Sequence, residues 1–349
     1  MAEVTLVPRK DVDRDDWNGF VDRSDAAWLW HRQELIDALL TWPGSSDASV
    51  AAVRPGGVIV AVVPLPGWRR PVKGIVKFVD LESFGAPALA SDLGRKERRA
   101  VVASIDEHFK RTAAESRAVQ LDLLIPPLAP AYCGERAPRV NPLLELGFEN
   151  TLTQTWMIDL RLSEKKLQSR YSETTRQEVR KATDAGLTIR PAEGQNDLDT
   201  YYGLHLQTYK RSGANAHPKS YFEIIFRTFL TAGFARILFA EVDGVVVAAQ
   251  NTAFYKNAAY YWTSASSAEA PTGANRALMH RQIMSARADG ALWYDTGEAF
   301  PGQTGTKQAG LNAFKRSFGG EQFPLYRGHR RFPGLRTLLA QGARALKHA

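Results

Sequence analysis

The chain has 349 residues, with 45 Lys and Arg against 37 acidic residues and a net charge of +8. The length is about twice that of a usual domain, so two domains are expected, and 44% hydrophobic with 23% charged residues is the composition of an ordinary globular chain. One cysteine, Cys133, excludes an intrachain disulfide and suits a reducing compartment, and no motif makes it a nucleophile. The first thirty residues carry Asp and Arg throughout and lack an export signal's apolar stretch. The longest apolar run, Val58 to Pro66, falls far short of the roughly 20 residues of a membrane span. A soluble, cytoplasmic protein is expected. The basic excess favours nucleic acid, a phosphorylated intermediate or an acidic membrane surface as partner, or else is a solvated surface.

In chain order, residues 47–55 and 58–66 flank Gly56-Gly57 and read as a hairpin. A third strand follows over 72–82, a helix over 94–116 and a strand over 117–126. A Pro-rich stretch from Pro126 to Pro142 reads as a linker. The second half opens on a strand within 148–160 and a basic helix over 164–186, with Leu167, Tyr171, Val179 and Ala182 on one side. A short strand begins at Leu187, and a helix carries Tyr201 to Tyr209. Residues 235–242, 245–255 and 258–266 form an antiparallel meander through turns at Asp243-Gly244 and Lys256-Asn257. A helix over 274–290 places Met279, Ile283 and Ala286 on one face. A strand over 291–295, a helix with Leu311, Phe314 and Phe318 on one stripe, and a last strand over 321–328 complete the run. Three strands, helix, strand thus occurs twice, about 190 residues apart, which reads as a duplicated domain.

This order resembles the GNAT acyltransferase fold. In tandem it resembles the Fem-type aminoacyl transferases and their CelD/BioF-like acyltransferase relatives. The residues that carry the likeness are Arg176, Arg180, Lys181, Ala182 and Gly186 of the basic helix, and Gly310, Leu311, Phe314, Lys315, Phe318 and Gly319. The entry strand 148–160, the run 260–298 and the loop FGAPALA (84–90) add to it. The resemblance implies an α/β chain with mixed sheets built as tandem GNAT-like domains: 1–147, 148–328 with the family motifs, and a basic helical tail over 329–349. It implies an acyltransferase whose donor is an aminoacyl-tRNA or an acyl-CoA.

Asp295 ends a strand and opens the loop Asp295-Thr296-Gly297-Glu298. Ligands gather at such strand ends. A carboxylate there suits deprotonation of an acceptor ammonium, and it equally suits capping of the turn. Glu298 is a second candidate. Lys315 with Lys307 suits a phosphate or an oxyanion, or is a lysine whose stem covers apolar surface. Arg176 and Arg180, four apart, with Lys181 beside them, fit phosphates or a carboxylate, or form an exposed basic face. Tyr209, Arg211 and His217 border a possible acceptor loop, and Tyr261, Trp262 and Phe314 line either a cleft or the core. The helix start at Gly273 and Asn275 lacks the glycine-rich cradle usual for CoA, although a helix N-terminus can hold phosphate. GQTGTK (302–307) fails the P-loop spacing because Thr306 separates Gly305 from Lys307. No metal or nucleophile motif occurs.

The expectation is amide formation by transfer from aminoacyl-tRNA, without a cofactor, to an amine on a cell-wall precursor, a peptide intermediate or a protein N-terminus. An acetyl-CoA-dependent N-acyltransferase and a non-catalytic RNA-binding protein are the alternatives. The tail, with Leu335, Leu338, Leu339 and Leu346 on an apolar side, docks on the body, binds RNA or meets a membrane.

Overall fold

The structure, a computed structural model, describes residues 4–72, 76–151, 153–300 and 302–332. The chain divides into two units: residues up to Leu152 together with those from Leu325 onward, and Thr153–Pro324.

The first unit contains β1 (Thr5–Pro8), α1 (Arg14–Arg23), α2 (Gln33–Leu39), β2 (Ser45–Asp47), β3 (Val50–Val53), β4 (Ile59–Val63), β5 (Pro66–Val72), β6 (Val76–Ser83), β7 (Ala88–Leu89), α3 (Arg95–Ser116), β8 (Ala118–Leu124) and β9 (Glu149–Asn150). The Gly56-Gly57 turn joins β3 to β4 with φ of 94° and 86°, a region open to glycine. The expected third strand of this half does not extend that hairpin. Its residues 76–82 belong to β6, which pairs with β5 in another sheet. The hairpin instead joins a four-stranded sheet, β1-β3-β4-β7. β6 runs parallel to β8, and α3 is the crossover between them. Val101, Ile105, Phe109 and Ala113, spaced four apart on α3, are buried in this unit's core.

The second unit contains β10 (Thr153–Asp159), α4 (Glu164–Arg170), α5 (Glu173–Asp184), β11 (Thr188–Pro191), α6 (Leu198–Ser212), α7 (Lys219–Ile224), β12 (Ala235–Val242), β13 (Val245–Tyr255), β14 (Ala258–Ser266), α8 (Ala274–Ala288), β15 (Trp293–Ala299), α9 (Lys307–Arg316) and β16 (Glu321–Leu325). Its seven strands form one mixed sheet in the order β11-β12-β13-β14-β15-β10-β16. The meander turns fall where the sequence puts them. Asp243 and Gly244 have φ of 51° and 77°, and Lys256 and Asn257 have 47° and 59°, the double left-handed conformation of a tight hairpin. β14 and β15 are parallel, with α8 as crossover, so each unit holds one parallel pair bridged by a helix. Met279, Ile283 and Ala286 of α8 are buried against Ile158, Tyr294 and Phe318. On the other side of the sheet Tyr201 packs on Phe222, Phe226 and Phe239.

Two expectations are corrected. The basic helix over 164–186 is two helices, broken at Tyr171-Ser172, because the Ser172 hydroxyl caps α5 by accepting from Thr175 N at 3.2 Å. The last strand over 321–328 is also two. β16 completes the second unit's sheet, and β17 (Arg327–Arg331) then enters the first unit's sheet, β2-β5-β6-β8-β17-β9. There it pairs antiparallel with β8, and Asp122 meets His329 at 2.7 Å. The expected helical tail therefore begins as a strand, and residues 333–349 lie outside the described residues. No described helix is long and apolar enough to cross a membrane.

Candidate active site

The pairing of β14 with β15 is short. Ala258, Ala259 and Tyr260 face Trp293, Tyr294 and Asp295, and the ladder stops at the Tyr260–Asp295 pair. Beyond it β14 continues beside β13 to Ser266, while β15 continues beside β10 to Ala299. The parallel strands part at Asp295. On β14 a bulge accompanies the parting: Thr252 faces Tyr261 and Asn251 faces Thr263, so Trp262 is the extra residue. A sheet that opens between two parallel strands leaves backbone and side chains facing a wedge rather than a neighbouring strand, and ligands collect there in open α/β sheets.

Asp295 sits at the apex of that wedge and is 1% exposed. Its Oδ1 accepts from the Thr155 hydroxyl of β10 and from Gly297 N at 2.7 Å. Among the described residues both bonds fall on Oδ1, which leaves Oδ2 for a proton. Burial raises the Asp295 carboxyl to about 6, against the opposing pull of the Thr155 and Gly297 bonds and the Lys315 charge. Lys315 on α9 is 8% exposed, and its Nζ donates to the Glu298 carbonyl at 2.6 Å. Burial lowers its pKa, while the charges of Asp295 and Glu298 pull it upward. Nζ also lies 5.2 Å from the centre of the Phe300 ring.

Gly297 makes this convergence possible. Its φ of 93° suits glycine, and a Cβ there would lie 3.3 Å from Lys315 Nζ and 3.7 Å from the Tyr260 hydroxyl. Tyr260 is only partly covered. Burial, and then the negative charges of Asp295 and Glu298, hold its phenol above the ordinary range. A carboxyl that titrates near neutrality, an ammonium eased toward its neutral form and a phenol thus share one site. That is the composition of a proton-transfer centre.

The residues from 169 to 316 match the acetyltransferase (GNAT) domain family. The second unit carries a GNAT acyltransferase domain. No curated protein matches the sequence. Among solved structures, FemX is similar over 98% of this chain and 100% of its own, at 17% identity and a TM-score of 0.68. The C-terminal domain of a proposed lysylphosphatidylglycerol synthetase from Agrobacterium fabrum is similar over 95% of both chains, at 15% identity and a TM-score of 0.57. A tandem GNAT protein from the clavulanic acid biosynthesis pathway is similar over 95% of this chain and all of its own, at 12% identity and a TM-score of 0.54. At these identities the likeness is one of fold, and the fold is the tandem GNAT-like α/β architecture.

Within the GNAT domain, Asp295, Glu298 and Lys315 converge, although Glu298 offers Lys315 its backbone carbonyl rather than its carboxylate. Phe314 meets Phe318 edge to face with ring centres 5.3 Å apart and borders Tyr261 at 6.3 Å, so Phe314 and Tyr261 belong to the packing beside the wedge. Trp262, the bulged residue, packs on Phe229 and Tyr221 at 5.6 and 6.3 Å. Arg176, Arg180 and Lys181 are exposed on α5, where an Arg176 Nη donates to the Tyr171 carbonyl. Lys307 begins α9.

Tyr209 packs against His205 and, at 5.5 Å between ring centres, against His217 at the far end of the loop after α6. Its ring lies 4.1 Å from that of His205, and the backbone N–H of His217 donates to His205 Nε2 at 3.1 Å. Burial lowers His205 to about 3 and His217 to about 4, so both rings are neutral near pH 7. Arg211 donates to the Ser266 carbonyl.

Gly273 and Asn275 stand at the start of α8, with Asn275 exposed. α5 lies against this helix start. A Cβ on Gly273 would come within 2.4 Å of the Glu178 carbonyl oxygen, and the Glu178 carboxylate pairs with Arg276 at 2.8 Å. Glu178 thus packs against the residue that precedes α8.

Thr155, Tyr260 and Gly297 are the site residues that sequence reasoning missed. Gly297 was visible in the Asp-Thr-Gly-Glu loop, but Thr155 reaches Asp295 only through strand pairing across 140 residues. Its role is testable. Thr155→Val keeps the shape and removes one of the two donors to Oδ1, so the Asp295 carboxyl should rise further above about 6 while Gly297 N remains bonded. Carbon-13 NMR titration of the Asp295 carboxyl reads this directly, and an unmoved midpoint contradicts the assignment.

Proposed function

We propose that the protein forms an amide bond by transferring an aminoacyl group from a charged tRNA to an amine acceptor. The observation that carries the reading is the buried Asp295–Lys315 pair at the parting of β14 and β15. In this reading the Asp295 carboxylate takes a proton from the acceptor ammonium at Oδ2. The neutral amine attacks the aminoacyl ester carbonyl, and the Lys315 ammonium faces the oxyanion. The new C–N bond forms as the ester C–O bond breaks. The departing ribose oxygen takes the proton held on Asp295, with the Tyr260 hydroxyl passing it, and the attacking nitrogen gives its surplus proton to the freed carboxylate and from there to solvent. No covalent enzyme intermediate is required.

Three features favour tRNA over CoA. The start of α8 lacks the glycine-rich cradle usual for a CoA pyrophosphate, and Glu178 packs against Gly273 there. Arg176, Arg180 and Lys181 stand exposed on α5 and suit a phosphate backbone. The chain matches FemX end to end, in keeping with its sequence likeness to Fem-type aminoacyl transferases. The lysylphosphatidylglycerol synthetase match also joins this fold to aminoacyl transfer through that protein's name. The family description, acetyltransferase, favours an acetyl-CoA-dependent N-acyltransferase as the second reading.

Titration of the purified chain with charged tRNA and, separately, with acetyl-CoA decides between them. Aminoacyl transfer expects submicromolar tRNA binding that weakens steeply with salt, and no acetyl-CoA binding. Acetyl-CoA binding without tRNA binding overturns the donor assignment. Binding of tRNA with no transfer to any amine would leave an RNA-binding protein on this fold.

A further inference from the structure

A pocket of about 290 Å³ opens beside α9, lined by Trp156 of β10, Asn312 and Arg316 of α9, Gln303, Gln322 and three alanines of β15 and α9. It lies on a face of its own. At about 100° per residue, Ala309, Asn312, Ala313 and Arg316 form one stripe of α9, while Leu311, Phe314 and Phe318 point the other way. Lys315 falls between the two, so the pocket adjoins the reacting groups without containing them.

The lining is rich in donors. The Trp156 indole N–H is out of solvent's reach, so the donors open to a ligand are others among the described residues. Arg316 is exposed and makes no ion pair among them. Gln303 uses its carbonyl oxygen to accept from Thr306 at 3.4 Å, which leaves its amide N–H groups. Gln322 is exposed and supplies a further amide. Asn312 is not available, because Phe300 N and the Phe300 carbonyl bond its amide at 2.7 and 2.6 Å. It fixes the wall instead. No acidic side chain lines the pocket. An unpaired guanidinium fits a carboxylate in two-pronged fashion, and side-chain amide N–H groups beside it fit a neighbouring carbonyl oxygen. The volume sits at the low end of ligand pockets, which is residue-sized.

We propose that this pocket binds a residue-sized carboxylate that carries a neighbouring planar amide, as at the carboxyl end of a peptide or in an N-acylated amino acid. Arg316 holds the carboxylate, and the amide N–H groups of Gln303 and Gln322 take the amide oxygen. Which donor the GNAT domain uses does not enter the assignment.

The test uses the full chain labelled with 5-fluorotryptophan, with the Trp156 fluorine signal assigned from Trp156→Tyr. Titration with N-acetylglycine should move that signal saturably, while N-acetylglycinamide, which lacks the carboxylate, should bind about tenfold more weakly or worse. Arg316→Gln, at an exposed position, should fold and lose affinity for N-acetylglycine by a similar factor. Equal response to the acid and the amide, an unchanged Arg316→Gln, or no saturable shift overturns the proposal. Should Trp156→Tyr not fold, calorimetry of both ligands on the parent and Arg316→Gln chains gives the same decision.

Discussion

Asp295→Asn should fold, match or exceed the parent's melting temperature near pH 7, and lose amide-forming activity by about a hundredfold or more. The reason for the unharmed fold is geometric. Both hydrogen bonds to the carboxylate land on Oδ1, and an asparagine with its carbonyl oxygen there accepts from Thr155 and Gly297 unchanged. The reason for the stability is electrostatic. The carboxyl, ordinarily at 3.8, stands at about 6 in the folded chain because burial disfavours its charge. Below pH 4 the folded and unfolded chains are both protonated and the residue costs nothing. As pH rises from 4 through 6 the unfolded chain releases its proton while the folded chain retains it, so stability falls across that window. Above it the cost of the buried anion levels off at about 3 kcal/mol as an upper bound. Asparagine carries no such cost. The difference in melting temperature between the two chains should therefore grow between pH 4 and pH 7. Paired thermal melts across that range check this, and a pH-independent difference contradicts it. An asparagine chain that retains full transfer would remove Asp295 from the chemistry.

Lys315→Met is the second large effect. Methionine keeps most of the stem and removes the charge. Transfer should fall by about a hundredfold or more, since no other described side chain in the cluster carries a positive charge toward the oxyanion. Stability should change little. The chain no longer buries an ammonium, and the Glu298 carbonyl loses the donor that held it at 2.6 Å, at a cost of about 1–3 kcal/mol. The informative readout is the pH profile. The Lys315 charge pulls the Asp295 carboxyl down, so its removal should push the carboxyl above about 6 and carry the acid limb of the residual rate to higher pH. Lys315→Arg should not restore the rate, because the ammonium lies against Gly297, where even a Cβ would be 3.3 Å away. Full activity in Lys315→Met, or an acid limb that stays in place, would leave the lysine a structural role alone.

The second unit was far more legible in the sequence than the first. Its meander carries Asp-Gly and Lys-Asn turns, and its crossover helix has a clean buried face, so local signals alone order those elements. In the first unit β5, with two prolines, a glycine and two arginines, carries little strand signal of its own, and β6 pairs with it rather than with the hairpin of β3 and β4. Whether they extend the same sheet depends on pairing that no local pattern records. The break at Tyr171-Ser172 escaped because the helical period runs on through it, and only the cap by Ser172 marks the stop. At the site, Asp295 and Lys315 were readable from a strand end and a resemblance. Thr155 and Tyr260 were not, because each reaches the cluster through the register of a neighbouring strand.

The entry of β17 between β8 and β9 has a temporal consequence. The first unit is discontinuous along the chain, with the second inserted into it as one unbroken segment. A ribosome delivers β8 and β9 long before the strand that separates them. The half made first is thus completed last. The inserted domain has all its strands through β16 available before β17 can be laid down, and until then the inner edge of β8 waits open, with a row of backbone groups that only the later β17 can satisfy.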